Sequence, residues 1–128
     1  MMSFAHLTIA TRDVAATSKF YQAALLWRPI RTPENTPKDA DWLEIAPGQQ
    51  LHILYVANFT ASPFEEEFGR HFAIFHSGSD FAALQDRLRA HGAELIAAIR
   101  PTPFARFFFR DPNGYVYEVI DREGYRVE

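Results

Sequence analysis

Apolar and polar residues alternate from Phe4 to Ala10 (FAHLTIA), with Phe4, His6 and Thr8 on one side and Ala5, Leu7 and Ile9 on the other, as in a half-buried strand. Asp13 then stands where a helix N-cap belongs. Val14, Thr17, Tyr21, Ala24 and Leu25 follow at helical spacing, so this helix can lay one face on the apolar side of the strand. A short strand is expected over Trp27 to Arg31. Arg31 to Asp41 (RTPENTPKDAD) holds two prolines among polar residues and reads as a loop. Trp42 to Ala46 and Leu51 to Val56 follow as strands joined through Pro47-Gly48, completing a βαβββ unit of residues 1 to about 57.

Residues 58 to 69 (NFTASPFEEEFG) are polar, broken by Pro63, and read as a linker in which Glu65 to Glu67 form a solvated loop. From about residue 70 the pattern restarts. Phe72 to Phe75 is a strand, Asp80 an N-cap, and Phe81, Leu84 and Leu88 the apolar face of a helix that ends at His91-Gly92. Leu95 to Ile99 is a further strand, and Arg106 to Arg110 and Tyr115 to Ile120 form a closing hairpin. The turn Asp111-Pro112-Asn113-Gly114 suits a type I turn with a glycine bulge, which sets Arg110 opposite Val116, Phe108 opposite Glu118 and Arg106 opposite Ile120. Phe108 and Arg106 thereby share the side of Glu118. Phe107, Phe109, Tyr117 and Val119 face the helix layer. Two βαβββ units make an α+β chain, a repeat of structure with little repetition of residue identity.

The 128 residues amount to about one domain. Aromatic residues reach 15%, more than a small core requires, so some rings are expected to line a cavity. Net charge is −3 and no basic cluster runs along any segment, which sets nucleic-acid binding aside. The absence of cysteine excludes disulfides, thiolate catalysis and cysteine-based zinc sites. Neither a secretory leader nor an apolar run of membrane-spanning length is visible, so a soluble cytoplasmic protein without a membrane partner is the expectation.

Four residues able to bind a divalent metal fall into two matched pairs. His52 lies 46 positions after His6, and Glu118 lies 47 after His71. Each is in or beside an expected strand and projects from the face opposite its unit's helix. In the fourth strand His52, Leu54 and Val56 would be on this open face, and in the fifth His71, Ala73 and Phe75. Imidazole and carboxylate ligands suit Zn²⁺, Fe²⁺, Mn²⁺, Ni²⁺ or Co²⁺. His76 and His91 read as surface or helix-end residues.

The order of elements, the first-strand histidine in FAHLTIATRD, His71 in GRHFAIF and Glu118 in FFFRDPNGYVYEVID together resemble the vicinal oxygen chelate superfamily, which includes glyoxalase I, extradiol dioxygenases and bleomycin-resistance proteins. The resemblance covers essentially the whole chain, and DPNGYVYE is its most specific piece. It implies a single glyoxalase-like domain whose two units form a cupped mixed sheet around a metal site with helices on the outer face. It also implies that His6, His71 and Glu118 are metal ligands. At position 52 glyoxalase I carries a carboxylate used in proton transfer, whereas this chain has His52, readable as a fourth ligand, a general base or a donor to substrate.

The function expected on these grounds is metal-dependent chemistry on a small substrate held through vicinal oxygens, of lyase or isomerase type. Extradiol ring cleavage with Fe(II) and metal-free ligand binding of the bleomycin-resistance kind are the alternatives. His52 and Glu118 are the candidate catalytic residues, and Phe108 and Arg106 the candidate substrate contacts. Relatives of this size are commonly homodimers, so the site is expected within one chain or between two.

Overall fold

Asp13 caps the first helix through its side chain, which accepts the Ala16 N–H at 2.9 Å from an extended backbone (φ −144°). In the computed structural model, which describes residues 1–37 and 39–128, this helix α1 (Val14–Ala24) follows strand β1 (His6–Thr11). Its buried face carries Val14, Thr17, Phe20, Tyr21 and Ala24, and the Thr17 hydroxyl shares a 2.8 Å hydrogen bond with that of Thr11 on β1. Ser18 on the same helix donates to Asp41. Strands β2 (Arg28–Ile30), β3 (Ala40–Ala46) and β4 (Gln49–Tyr55) complete the unit, with the sheet in the order β1-β4-β3-β2. Ile9, Leu43, Leu51 and Ile53 are buried, as the alternation along each strand requires. β3 starts at Ala40, so the last two residues of the expected loop join the sheet; Lys38 of that loop lies outside the described residues.

The second unit repeats the plan. Strand β5 (Phe72–His76), helix α2 (Phe81–Ala90), β6 (Glu94–Ile96), β7 (Arg106–Arg110) and β8 (Val116–Asp121) give the order β5-β8-β7-β6. In both units the first and last strands pair in parallel and the other pairs are antiparallel, so the chain is α+β with two four-stranded mixed sheets. The closing hairpin has the expected register, Arg110 opposite Val116, Phe108 opposite Glu118 and Arg106 opposite Ile120. Its turn is held by Asp111, whose carboxylate accepts the N–H groups of Asn113 and Tyr115, both at 2.9 Å, while Gly114 takes the left-handed conformation (φ +99°). The compact units run Met1–Phe59 and Thr60–Glu128, a boundary inside the expected linker. No helix among the described residues is long and apolar enough to cross a membrane.

Three local expectations fail, each for want of the partner assumed. Asp80 makes no side-chain cap; a turn of 3₁₀ helix at Gly78–Asp80 precedes α2, and the carboxylate instead accepts from His76 Nε2 at 2.8 Å and Arg87 at 3.4 Å. Strand β6 stops at Ile96, and the N–H groups of Ile99 and Arg100 turn to the Glu67 carboxylate at 2.6 and 2.9 Å. Of the glutamates expected to be solvated, Glu66 is exposed, but Glu65 and Glu67 are not. The Glu65 side chain is only 1% exposed, taken at 2.9 and 2.8 Å by Arg70 Nη1, and it accepts the Val116 N–H at 2.8 Å. A charge run predicts solvation only where no buried donor competes for it.

Glu65→Ala strands the buried Val116 N–H and removes the partner of the exposed Arg70. A loss of about 1–3 kcal/mol in urea unfolding is expected. Glu34→Ala, which removes only an exposed pair with Arg31, should change stability by less than about 0.5 kcal/mol. Equal effects would mean that Glu65 contributes no more than a surface charge.

Candidate metal centre

The DPNG hairpin and the parallel β5–β8 pairing together bring His71 and Glu118 into contact. Ala73 is the ladder partner of Glu118, and His71 lies two residues earlier, at the entrance to β5. His71 Nε2 is 3.3 Å from Glu118 Oε1, and His71 Nδ1 is 3.3 Å from the Glu66 carbonyl. A carbonyl oxygen can only accept, so Nδ1 carries the proton that donates to Glu66. A neutral ring therefore presents the Nε2 lone pair to the Glu118 lone pairs. Two lone pairs at this distance repel unless a proton or a cation lies between them. The separation also suits two ligands of one ion at roughly 2.0–2.2 Å each.

The other oxygen of Glu118 is occupied. Arg106 Nη1 donates to Oε2 at 2.9 Å, and Arg106 Nη2 donates to Glu67 at 2.9 Å and to the Arg100 carbonyl. The Arg106 side chain is 4% exposed. Desolvation works against its charge most strongly, but the hydrogen bonds and charges of Glu118 and Glu67 prevail and raise Arg106 above its ordinary value. Glu67 is lowered even though desolvation, its largest influence, raises it, because the Ile99 and Arg100 N–H groups and Arg106 all favour the carboxylate. Phe108 is 1% exposed, edge-on to His71 with ring centroids 5.2 Å apart, and the Arg106 guanidinium lies 5.2 Å from its ring centre. Phe108 and the Arg106 side chain, expected as substrate contacts, pack against His71 and Glu118. They are the buried supports of His71 and Glu118.

In the first unit the equivalent positions form a stack of rings. Thr8 is the ladder partner of His52, and His6 lies two residues earlier, the same offset that relates His71 to Glu118. His52 lies between Trp42, its partner across the β3–β4 ladder, and His6, with centroid distances of 3.5 and 3.9 Å and interplanar angles of 13° and 18°. His52 Nε2 is 2.9 Å from Gln50 Oε1, to which it donates. Burial first, and the charge of His6 second, hold the His52 imidazole down at about 4, so the ring is neutral at physiological pH. Parallel rings in van der Waals contact are separated by roughly 3.5 Å. A cation at about 2.1 Å from both would lie far out of the plane of at least one ring, away from its lone pair. For both rings to ligate one ion, one of them would have to turn out of the stack.

The four expected ligands thus form two close pairs, one in each compact unit, and among the described residues no three His, Asp or Glu side chains are grouped to hold a metal ion. His76 bonds to Asp80, and His91 closes α2 with its N–H on Arg87 and Leu88 carbonyls, as their surface and helix-end positions suggested. Trp42, Gln50, Glu66 and Glu67 were not foreseen as part of the centre. Trp42 was within reach, because a hairpin through Pro47-Gly48 sets it across from His52; no local signal marks Glu66 or Glu67. The Nε–H of Arg106 and the indole N–H of Trp42 are buried without a partner among the described residues.

The sequence matches the model of the Glyoxalase/Bleomycin resistance protein/Dioxygenase superfamily over residues 3–119. No curated protein matches it. Among solved structures, the fosfomycin resistance protein FosX from Mesorhizobium loti superposes with a TM-score of 0.72 at 15% identity, covering 94% of this chain and 91% of that one. A mutant of FosX from Listeria monocytogenes, complexed with Mn(II) and 1S,2S-dihydroxypropylphosphonic acid, gives 0.73 at 18% identity, with 94% and 90% covered. A glyoxalase family protein from Bacillus anthracis gives 0.74 at 22% identity, with 94% and 95% covered. At these identities the likeness is one of fold.

Because His52 is depressed below its unfolded value of 6.5, unfolding takes up a proton in acid. Its contribution to stability is complete above pH 6.5 and is lost as pH falls toward 4. His52→Phe keeps a flat ring against Trp42 but cannot titrate. In urea unfolding, the parent should lose on the order of 1–3 kcal/mol more than His52→Phe between pH 6.5 and 4. Parallel pH profiles would show that His52 is not held neutral.

Proposed function

This chain belongs to the Glyoxalase/Bleomycin resistance protein/Dioxygenase superfamily, and on that premise we propose that it is a metal-dependent enzyme acting on a small substrate through vicinal oxygens, with lyase or isomerase chemistry. The observation that carries the reading is the approach of His71 Nε2 to Glu118 Oε1 at 3.3 Å, a pair of donor atoms that calls for a cation or a proton. His71, Glu118 and His6 would hold the ion. Their imidazole and carboxylate donors suit Zn²⁺, Ni²⁺, Mn²⁺, Fe²⁺ or Co²⁺, and a Mn(II) complex of a protein with the same fold supports a divalent metal. When bound, the metal supplies a Lewis acid for negative charge developing on a substrate oxygen.

The chain's own residues divide the remaining work. His52, neutral and stacked between Trp42 and His6, orients the His6 ring without adding positive charge beside a cation. It is a poor proton acceptor at neutral pH, so its role in this reading is to position His6 rather than to act as ligand or base. Glu118 keeps Oε1 as its one oxygen not taken by Arg106, and that oxygen can ligate or receive a substrate proton.

His6 belongs to one compact unit and the His71–Glu118 pair to the other. We take the assembly to be a homodimer in which His6 of one copy completes the pair of the second. A second reading, metal-free binding of a flat ligand, draws support from the exposed His6 ring at the end of the Trp42–His52–His6 stack.

His6→Ala and Glu118→Gln should each weaken Mn²⁺ or Zn²⁺ binding by at least about 10–100-fold in calorimetric titration, while His76→Ala and His91→Ala should not. Equal losses in all four would point to general destabilisation, and no metal uptake by the parent to the binding-protein reading.

Coexpressing His6→Ala with Glu118→Gln chains separates the two assemblies. If each site draws on two copies, a mixed dimer holds one intact site and recovers tight metal binding at half the parent stoichiometry. If each site lies within one chain, every site in the mixture is damaged and none is recovered.

A further inference from the structure

The segment Glu65-Glu66-Glu67 lies outside both sheets, yet each of its residues is tied to His71, to Glu118 or to a neighbour of one of them. Glu65 binds Arg70, the residue before His71, and the Val116 N–H, two residues before Glu118. The Glu66 carbonyl receives His71 Nδ1. Glu67 is anchored by the Ile99 and Arg100 N–H groups and holds Arg106 Nη2, and Arg106 Nη1 holds Glu118 Oε2. The Glu67 side chain is 7% exposed and Arg106 4%, so neither can be replaced by water without opening the unit.

A carboxylate free to rotate can offer a cation two oxygens or one, and in either case carries its full charge. Glu118 is not free. Its Oε2 is committed to a guanidinium that Glu67 prevents from swinging away, and only Oε1 faces His71. We propose that Glu67 and Arg106 are positioning residues that restrict Glu118 to a single ligating oxygen and temper its charge, while Glu66 fixes the proton of His71 so that Nε2 faces the same point. This rests on the reading of His71 and Glu118 as metal ligands. The planar guanidinium matters here, because two Nη groups on one rigid fork can bridge two carboxylates at a fixed spacing, which an ammonium on a flexible stem cannot.

Glu67→Gln keeps the shape and removes the anchoring charge; Arg106→Met keeps an apolar stem and releases Oε2. Both variants, with Arg106→Lys, are compared with the parent in two measurements. The first is metal-free, the imidazole ¹H–¹⁵N spectrum, with His71 assigned by its loss in His71→Ala. The second is Co²⁺ titration followed by visible absorption. The His71 resonances should shift in Glu67→Gln and Arg106→Met without metal, and Co²⁺ should bind about 10–100-fold more weakly in Glu67→Gln. In Arg106→Met the absorption should also weaken, reporting an added oxygen ligand, and Arg106→Lys should not restore the parent spectrum.

Should Arg106→Met alone fail to fold, with two buried carboxylates left facing each other, the Glu67→Gln/Arg106→Met pair removes that repulsion and is read in the same way. Parent-like His71 resonances and Co²⁺ spectra in the folded variants would overturn the proposal. Shifted resonances in a protein that takes up no Co²⁺ would uphold the positioning of His71 and Glu118 and reject the metal reading on its own.

Discussion

The parallel pairing of the first and last strands in each unit is the constraint from which the candidate centre follows. Parallel neighbours cannot be joined by a tight turn, so each unit must travel through a helix and two further strands before returning to the edge of its starting strand. The route takes more than forty residues in both units and brings together side chains that are remote in sequence. In each unit the second member of the ligand pair lies two ladder positions beyond the first, which is why the spacings differ by a single residue. The near-identity of the two intervals is a measure of one pathway taken twice.

Upon this shared frame the units diverge in chemistry. The first surrounds its pair with rings, and burial keeps the central imidazole neutral. The second surrounds its pair with charge: Arg106 is buried between two carboxylates, a group of net negative charge that would be costly to desolvate without the backbone N–H groups of Ile99 and Arg100 on Glu67. One unit thereby presents a stack of rings ending in the exposed His6. The other presents a nitrogen and an oxygen at a spacing set by fixed hydrogen bonds.

The likeness to FosX and glyoxalase-family structures at 15–22% identity shows how little of the sequence the frame needs. What it needs is visible in this chain: alternation in the strands, a capped helix in the first unit, and a DPNG turn whose Asp111 satisfies two backbone donors. Residues around the ligands are less constrained by the frame, and there the chain's own chemistry is written, in Trp42, Gln50 and the Glu65-Glu66-Glu67 segment.

The two βαβββ units, the hairpin register that sets Phe108 beside Glu118, and the matched pairs of candidate ligands were legible in the chain alone, because periodicity, turn chemistry and strand register are local properties that propagate by counting. The sequence could not determine which side chains would be satisfied by partners remote in sequence. Glu65 to Glu67 carry the local signature of solvated charge, and the Arg70, Arg106 and backbone donors that draw Glu65 and Glu67 inward are supplied by tertiary contacts. Arg106 and Phe108 lie beside Glu118 as the hairpin register requires, but their burial is decided by tertiary packing. His52 was placed on the right face, but the orientation of its ring, stacked rather than convergent with His6, depends on Trp42 and Gln50 packing around it. Counting along a strand gives the face of a side chain; its neighbours decide where its lone pair points.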